Sequence, residues 1–417
     1  MIDTASVKLK LCILAVTLTL LFYIPAIAAD SVSTKTYREL TKIQELMAGS
    51  DEKKPQLNPA IDRLKILLAE VEEGSLDQAL TLQTLGYAVM SNENFAGAIR
   101  YLKRSLDTEK LPQNVVYNVG YMVAQLHAAL GEFEDALTFA ETWFMQLEEP
   151  KADQYIFMAN IHAQVKNHSQ SIPYAVKAIS LAEKPKATWF QLLAANHYEL
   201  RQYSDAAQAL IRMTTIWPDK SSYWEQLAGV YMVMEKPHLA LATLKIAFQS
   251  QILDKESSLR SLVQLALMQG IPEHAARLLD AAISDQLLPE TAEYLRMEAQ
   301  AWTQARESNK AIITLQKLAE IEADGDAWMQ IAQIQLESSR WEEAELATQN
   351  ALGQSFESPG KAWLILGIAQ SELGKFDDAR EALRKAAAFD STSKSAKAWM
   401  RYSSDMKRQA DWIAANR

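Results

Sequence analysis

The chain has 417 residues, a formal net charge of −10, and 49% hydrophobic against 23% charged residues. That hydrophobic share supports a folded protein and excludes a polytopic membrane protein, while only 13 Gly and 12 Pro speak against a chain dominated by strands and loops. The acidic balance disfavours nonspecific nucleic-acid binding, and at this length a single compact core would divide whereas a stack of repeats would not.

Residues 1–28 read as a secretory signal. Lys8 and Lys10 precede an uncharged run of 19 residues, 11–29, which is broken at Pro25 and carries the small residues Ala26 and Ala28 near its end. This is the pattern of a Sec-type signal cleaved after Ala28. A retained anchor is the alternative, because a run of that length just spans a bilayer. Both readings export the remainder. The single cysteine, Cys12, lies inside the run, so the mature chain offers no disulfide, thiol chemistry or thiolate metal site.

Residues 29–76 form an N-terminal helical cap or degenerate repeat. Two amphipathic patterns, residues 34–47 and 60–71, flank a polar linker, and Pro59 stands where helices favour a starting proline. The repeated part covers residues 77–390. Its most regular copy, KAWLILGIAQSELGKFDDAREALRKAAAFD at 361–390, holds two helical patterns broken at Leu373-Gly374-Lys375. Taking the small residue that opens each second helix as an anchor gives Ala98, Ala136, Ser171, Ala206, Ala240, Ala275, Ala311, Ala344 and Ala379. Their spacings are 38, 35, 35, 34, 35, 36, 33 and 35.

A helix-turn-helix unit at such a period resembles the tetratricopeptide repeat (TPR) family. Trp224, Leu227, Ala228, Tyr231, Ala240, Leu244 and Ala247 carry the pattern, as do Trp328, Ile331, Ala332, Ala344 and Ala351. An aromatic precedes the second helix at Phe95, Phe133, Tyr203, Trp341 and Phe376, and Pro218 matches the family's closing proline. The resemblance implies an all-α fold, a right-handed superhelical solenoid of about nine TPR helix-turn-helix units. Ser171 in place of Ala, Glu298 in place of Leu and Gln335 in place of Tyr depart from the pattern.

Residues 391–417 read as a C-terminal capping helix, started by a cap within Ser391 to Ser393 and given an apolar side by Trp399 and Trp412. From Arg384 onward eight basic residues face three acidic ones. That surplus is either a solvated cap face or a docking surface for anionic lipid or an acidic partner.

No enzyme motif is present. The segment GQSFESPGKA at 353–362 has the wrong glycine spacing for a phosphate loop, and Ala362 stands where Ser or Thr is needed. No catalytic, cofactor-binding or metal-ligating residue is expected. His127, His162 and His197 recur 35 residues apart where the family usually has Tyr. One zinc ion could not reach all three across helices about 8–10 Å apart, so they read as packing histidines.

In the TPR family the first helices line a concave groove, and the resemblance carries that role to Tyr121 and Gln125, Ile156 and Asn160, Gln191 and Ala195, Glu225 and Gly229, Arg260 and Gln264, Arg296 and Gln300, and Met329 and Gln333. An outer row adds Tyr198, Met232, Met268 and Leu336. Five of the seven units place a glutamine amide there, suited to a peptide backbone, and Arg260 and Arg296 are read as cations for an acidic side chain. The Lys of the family's carboxylate clamp is replaced by Tyr121, Ile156 and Gln191.

The expected protein is therefore a non-enzymatic, exported adaptor located in the periplasm, with a protein or peptide partner in its groove and no nucleic acid or cofactor. Membrane contact is expected only through an uncleaved signal or the basic C-terminal cap. The layout resembles periplasmic TPR proteins of TonB-type systems with ExbB and ExbD, which implies a place in an envelope complex supporting iron-complex uptake. A structural scaffold for outer-membrane or polysaccharide-export assembly, and an enzyme whose site spans repeats, stay open as alternatives.

Overall fold

A computed structural model describes residues 32–49, 54–323, 325–354 and 359–416. The signal expectation, and residues 355–358 of the rejected phosphate-loop match, lie outside them. The described residues form 21 α-helices and no strand. None of these helices is long and apolar enough to cross a membrane.

The chain divides into two compact units, one ending at Met213 and one beginning at Thr214. The first holds the hairpins α1 (Thr34–Ala48) with α2 (Leu57–Glu70), α3 (Leu76–Ser91) with α4 (Phe95–Leu106), α5 (Gln113–Leu130) with α6 (Phe133–Phe144), and α7 (Ala152–Gln164) with α8 (His168–Leu181). It then holds α9 (Ala187–Glu199) with α10 (Tyr203–Ile216), within which the division falls. The second holds α11 (Ser221–Val233) with α12 (Pro237–Gln249), α13 (Glu256–Met268) with α14 (Pro272–Ser284), and α15 (Ala292–Gln304) with α16 (Ser308–Glu322). It continues through α17 (Gly325–Glu337) with α18 (Trp341–Leu352) and α19 (Pro359–Glu372) with α20 (Phe376–Ala386), and closes on α21 (Asp390–Ala415). Each unit is an all-α repeat solenoid of stacked hairpins.

The anchors explain why the hairpins close. All nine are fully buried, each at 0% exposure, and Ala60 in α2 is equally buried 38 residues before Ala98. A small side chain there lets the second helix lie against its neighbours at close range. The closest approach falls at two matched places: a Cβ added at Gly86 would lie 2.5 Å from Leu102, and one added at Gly367 would lie 2.5 Å from Leu383.

The turn between the two helices of each unit is stereotyped. The residue five before every anchor has φ between 56° and 80°: Glu93, Gly131, Lys166, Arg201, Glu235, Gly270, Arg306, Ser339 and Gly374. The next residue's N–H then donates 2.8–3.1 Å back to the carbonyl nine before the anchor, from Asn94 to Val89 in the first unit through Lys375 to Gln370 in the last. This is the long bond of a Schellman motif, which satisfies first-helix carbonyls that the helix end leaves open. Six units accept a left-handed non-glycine residue to obtain it. Gly374→Ala is expected to lower stability by about 1 kcal/mol. Arg306→Gly should raise it by less, since glycine relieves the strain but frees the unfolded chain. A melting temperature for Arg306→Gly below that of the parent would show that this turn carries no strain.

The departures from the repeat pattern are compensated by polar contacts. Buried Ser171 donates to the Ala159 carbonyl at 2.6 Å and accepts from Asn196 Nδ2 at 2.8 Å, while Asn196 Oδ1 pairs with His168 Nδ1 at 2.8 Å. Buried Glu298 accepts from Trp302 Nε1 at 2.9 Å and from Thr314 Oγ1 at 3.0 Å. Gln335 is less well served, because its buried Oε1 has no partner. The expected start of the last helix is corrected: α21 begins at Asp390 after Phe389, with no side-chain cap. Thr392 is already inside the helix and donates instead to the Ala386 carbonyl at 2.7 Å, which ties α21 to α20.

Burial holds the Glu298 carboxyl above the usual carboxylate range, against the two hydrogen bonds that favour its charged form. A folded-state pKa raised in this way contributes stability at low pH that is lost as pH rises through it. Glu298→Gln is therefore expected to melt higher than the parent at neutral pH, with the gain vanishing as pH falls towards about 4, where the unfolded carboxyl also protonates. The absence of a gain at neutral pH would mean that the charged form is fully solvated.

Candidate partner-binding site

The candidate residues sit at two register positions of the first helices, fifteen and eleven before the anchor, because successive units repeat the same helix phase. In the first unit these positions are largely consumed by packing. The Tyr121 ring lies 4.2 Å from Trp143 with an interplanar angle of 14°, and 5.0 Å from Phe157 at 88°. Burial in that cluster pushes its hydroxyl pKa up to about 12, with Asp153 adding to the shift and a hydrogen bond from Gln125 opposing it. Ile156 is buried, Asn160 Nδ2 donates to the Ile156 carbonyl at 2.8 Å, and Gln125 and Gln191 are half-buried. Tyr198 is exposed and meets Tyr203 edge to face at 5.3 Å.

In the second unit the position fifteen before the anchor is a ladder of internal ion pairs. Glu225 on α11 accepts from Lys255 at 3.0 Å and from Ser258 on α13 at 2.7 Å. Arg260 on α13 pairs with Glu293 at 2.9 Å and Glu256 at 3.7 Å, donates to the Tyr294 hydroxyl at 3.2 Å and lies over that ring. Arg296 on α15 pairs with Glu322. Arg260 and Arg296, read as cations for an acidic side chain, already meet carboxylates of this chain: Arg260 reaches Glu293 in the next hairpin, and Arg296 reaches Glu322 on the second helix of its own hairpin. Exposed pairs of this kind are screened by solvent, so they orient more than they hold.

The position eleven before the anchor is different. Gln264, Gln300 and Gln333, at equivalent places on α13, α15 and α17, are all exposed. Gln333 Nε2 donates to Glu337 at 3.1 Å. The outer row is only partly in register. Met232 and Met268 are exposed, but Met268 lies seven residues before its anchor whereas Tyr198, Met232 and Leu336 lie eight before theirs. Half-buried Leu267 is the true equivalent.

Two features went unread in the sequence. One is an aromatic array through α5 to α8, in which Phe144 packs edge-on against Tyr155 and Tyr174, and His162 stacks on Tyr174 at 5.3 Å. The density of aromatics between residues 117 and 174 was the available signal. The other is a clasp across the turn: His127 Nδ1 meets Glu132 at 2.7 Å, and His197 Nδ1 meets Gln202 at 2.7 Å. Asp135 also approaches, so that one ligand atom each from His127, Glu132 and Asp135 lies within 4.8 Å of the others. The neutral Gln202 makes the same clasp as Glu132, and buried His127 Nε2 has no acceptor to orient a ligating ring, so the group is a hydrogen-bond clasp. Burial holds His162 below the usual histidine range.

A family model described as a tetratricopeptide repeat matches residues 329–396, which run from α17 into α21. Those residues contain the same buried anchors and left-handed turns as the units before them. Residues 329–396 are tetratricopeptide repeats. TPR arrays are protein-interaction scaffolds whose stacked units present extended binding surfaces. Solved structures that resemble the chain include YrrB, described as a TPR protein with an unusual peptide-binding site, at 12% identity over 47% of this chain and 94% of that one, TM-score 0.38. They include MamA from Desulfovibrio magneticus RS-1, at 16% identity over 42% and 97%, TM-score 0.35. The TPR2AB domain of yeast Sti1 in complex with an Hsp90 peptide aligns at 16% identity over 61% and 98%, TM-score 0.31. At these scores no residue of those sites transfers to this chain. No curated protein matches it.

Proposed function

We propose that the chain is a non-catalytic scaffold that holds a partner protein as an extended peptide across the first helices of its second unit. The observation that carries this reading is the run of exposed amides Gln264, Gln300 and Gln333 at one register position on α13, α15 and α17. An amide offers a donor and an acceptor, which matches the alternation of a peptide backbone without adding charge to an acidic protein. The neighbouring ion-pair ladder keeps these helices in register. Combined replacement of Gln264, Gln300 and Gln333 by Ala is expected to abolish co-purification of the partner while helicity and melting temperature stay at the parent values. Undiminished co-purification would remove the amide row from the site.

Export to the periplasm is part of the proposal and rests on the apolar run at 11–29 with its break at Pro25. A role beside TonB, ExbB and ExbD proteins rests on the layout of signal, repeats and closing helix. Cell fractionation tests the first, with release by osmotic shock as the expected result. Growth on chelated iron after deletion tests the second, and an unimpaired deletion strain would refute it.

A further inference from the structure

The last helix breaks the pattern of the others. At 26 residues α21 exceeds the next longest, α5, at 18. Its last buried residue is Ser403, and from Ser404 to Asn416 every residue is exposed except half-buried Lys407, which bridges Asp377 at 2.7 Å. About three and a half turns thus project beyond the hairpins that the rest of α21 packs against. A free helix of that length is marginal in water.

The projecting part and the turn before it are patterned. Trp399, Tyr402, Met406, Gln409 and Ile413 follow one another at spacings of 3, 4, 3 and 4, the alternation of a coiled-coil seam. Tyr402, Met406 and Ile413 are 40%, 37% and 41% exposed, and Trp412 beside them is 67% exposed. The basic surplus of the local sequence is partly paired, Lys385 with Glu381 on α20, Lys407 with Asp377, and Arg408 with Asp405. Asp405, Lys407, Arg408 and Asp411 sum to zero on the projection, which disfavours an anionic lipid surface as its occupant.

We infer that the projecting segment of α21 pairs with the same segment of a second copy, antiparallel, about a two-fold axis near Lys407 and Arg408. Tyr402 then meets Ile413 of the partner subunit, and Met406 meets Gln409 of the partner subunit. Asp405 and Arg408 come within reach of the partner's Arg408 and the partner's Asp405, so charges of opposite sign gather at the axis. The antiparallel sense places the two acidic repeat arrays at opposite ends of the helix pair, whereas a parallel pair would bring them side by side. The apolar seam is short and the interface small, below the area of about 1,200 Å² typical of stable complexes, so the dimer depends on concentration.

Sedimentation velocity of the whole chain over a wide concentration range tests this, with a shift from monomer to dimer expected. Met406→Glu with Ile413→Glu should abolish the shift and leave helicity and melting temperature unchanged, since both side chains are exposed in the monomer. Orientation is read by mixing a Tyr402→Cys protein with an Ile413→Cys protein under oxidation, which should give a mixed disulfide dimer. A chain that stays monomeric throughout, a dimer that survives the double substitution, or vesicles of phosphatidylglycerol that capture the monomer through Met406 and Ile413 would each overturn the inference.

Discussion

Trp143→Ala is expected to destabilise the first unit by about 3–5 kcal/mol, the range for deleting a buried large aromatic. Trp143 lies seven residues after the anchor, where Ala178, Ala247, Ala282, Ala351 and Ala386 stand in other units. It is not a misfit there. The residue four after the anchor, Leu in most units, is Ala140 in this one, and the buried Trp143 fills the volume so released, against Tyr121, Phe144 and Phe157. Small and large have exchanged places along one helix. Removing the indole leaves two alanines and a cavity, so hydrogen exchange should rise most in α5 to α8. Adding Ala140→Leu restores the arrangement of the other units and is expected to recover part of the loss. A double variant no more stable than Trp143→Ala alone would mean that the aromatic cluster, and not volume, sets the stability.

Gly367→Ala is expected to cost about 1–3 kcal/mol as an overpacked contact. The added Cβ would lie 2.5 Å from Leu383 Cγ and 3.2 Å from the Leu383 backbone nitrogen, so a rotamer change alone cannot clear it. Leu383→Ala by itself should cost about 2–5 kcal/mol through the cavity it leaves. The two together should cost less than their sum, because the same two places are occupied by Ala124 with Ala140 and by Ala159 with Ala175, all buried, in other units. Chemical denaturation of the four proteins gives the coupling energy directly. Strict additivity would show that the helices of this hairpin separate to accept the methyl group.

The repeat was legible because its demands are local and recur. Each anchor needed a small side chain, and all nine positions picked from spacing are buried completely. The turn was half legible: Gly131, Gly270 and Gly374 mark it, but Glu93, Lys166, Arg201, Glu235, Arg306 and Ser339 adopt the same left-handed backbone without any residue type to announce it. The site was harder. Arg260 and Arg296 were visible as cations, and their partners Glu293 and Glu322 were visible as acids 33 and 26 residues on, but only the stacking of one hairpin on the next brings the first pair together, and only the closing of a hairpin brings the second. Tyr121 and Asn160 occupy groove register, yet the Tyr121 ring packs on Trp143 of the next helix and the Asn160 amide bonds the Ile156 carbonyl of its own. The cap within Ser391 to Ser393 was misplaced because the helix reaches back to Asp390.

An interaction role for the first helices is tested most directly by site-specific photocrosslinking in the native host. A crosslinker at Gln264 or Gln300 on the first helices is compared with one at Ile246 on α12 or Ile313 on α16, second-helix positions that are equally open to solvent. A discrete adduct to one partner protein from Gln264 and Gln300, absent from Ile246 and Ile313, is the expected result. Adducts that are absent from the first helices, or that form equally at all four positions, would contradict it.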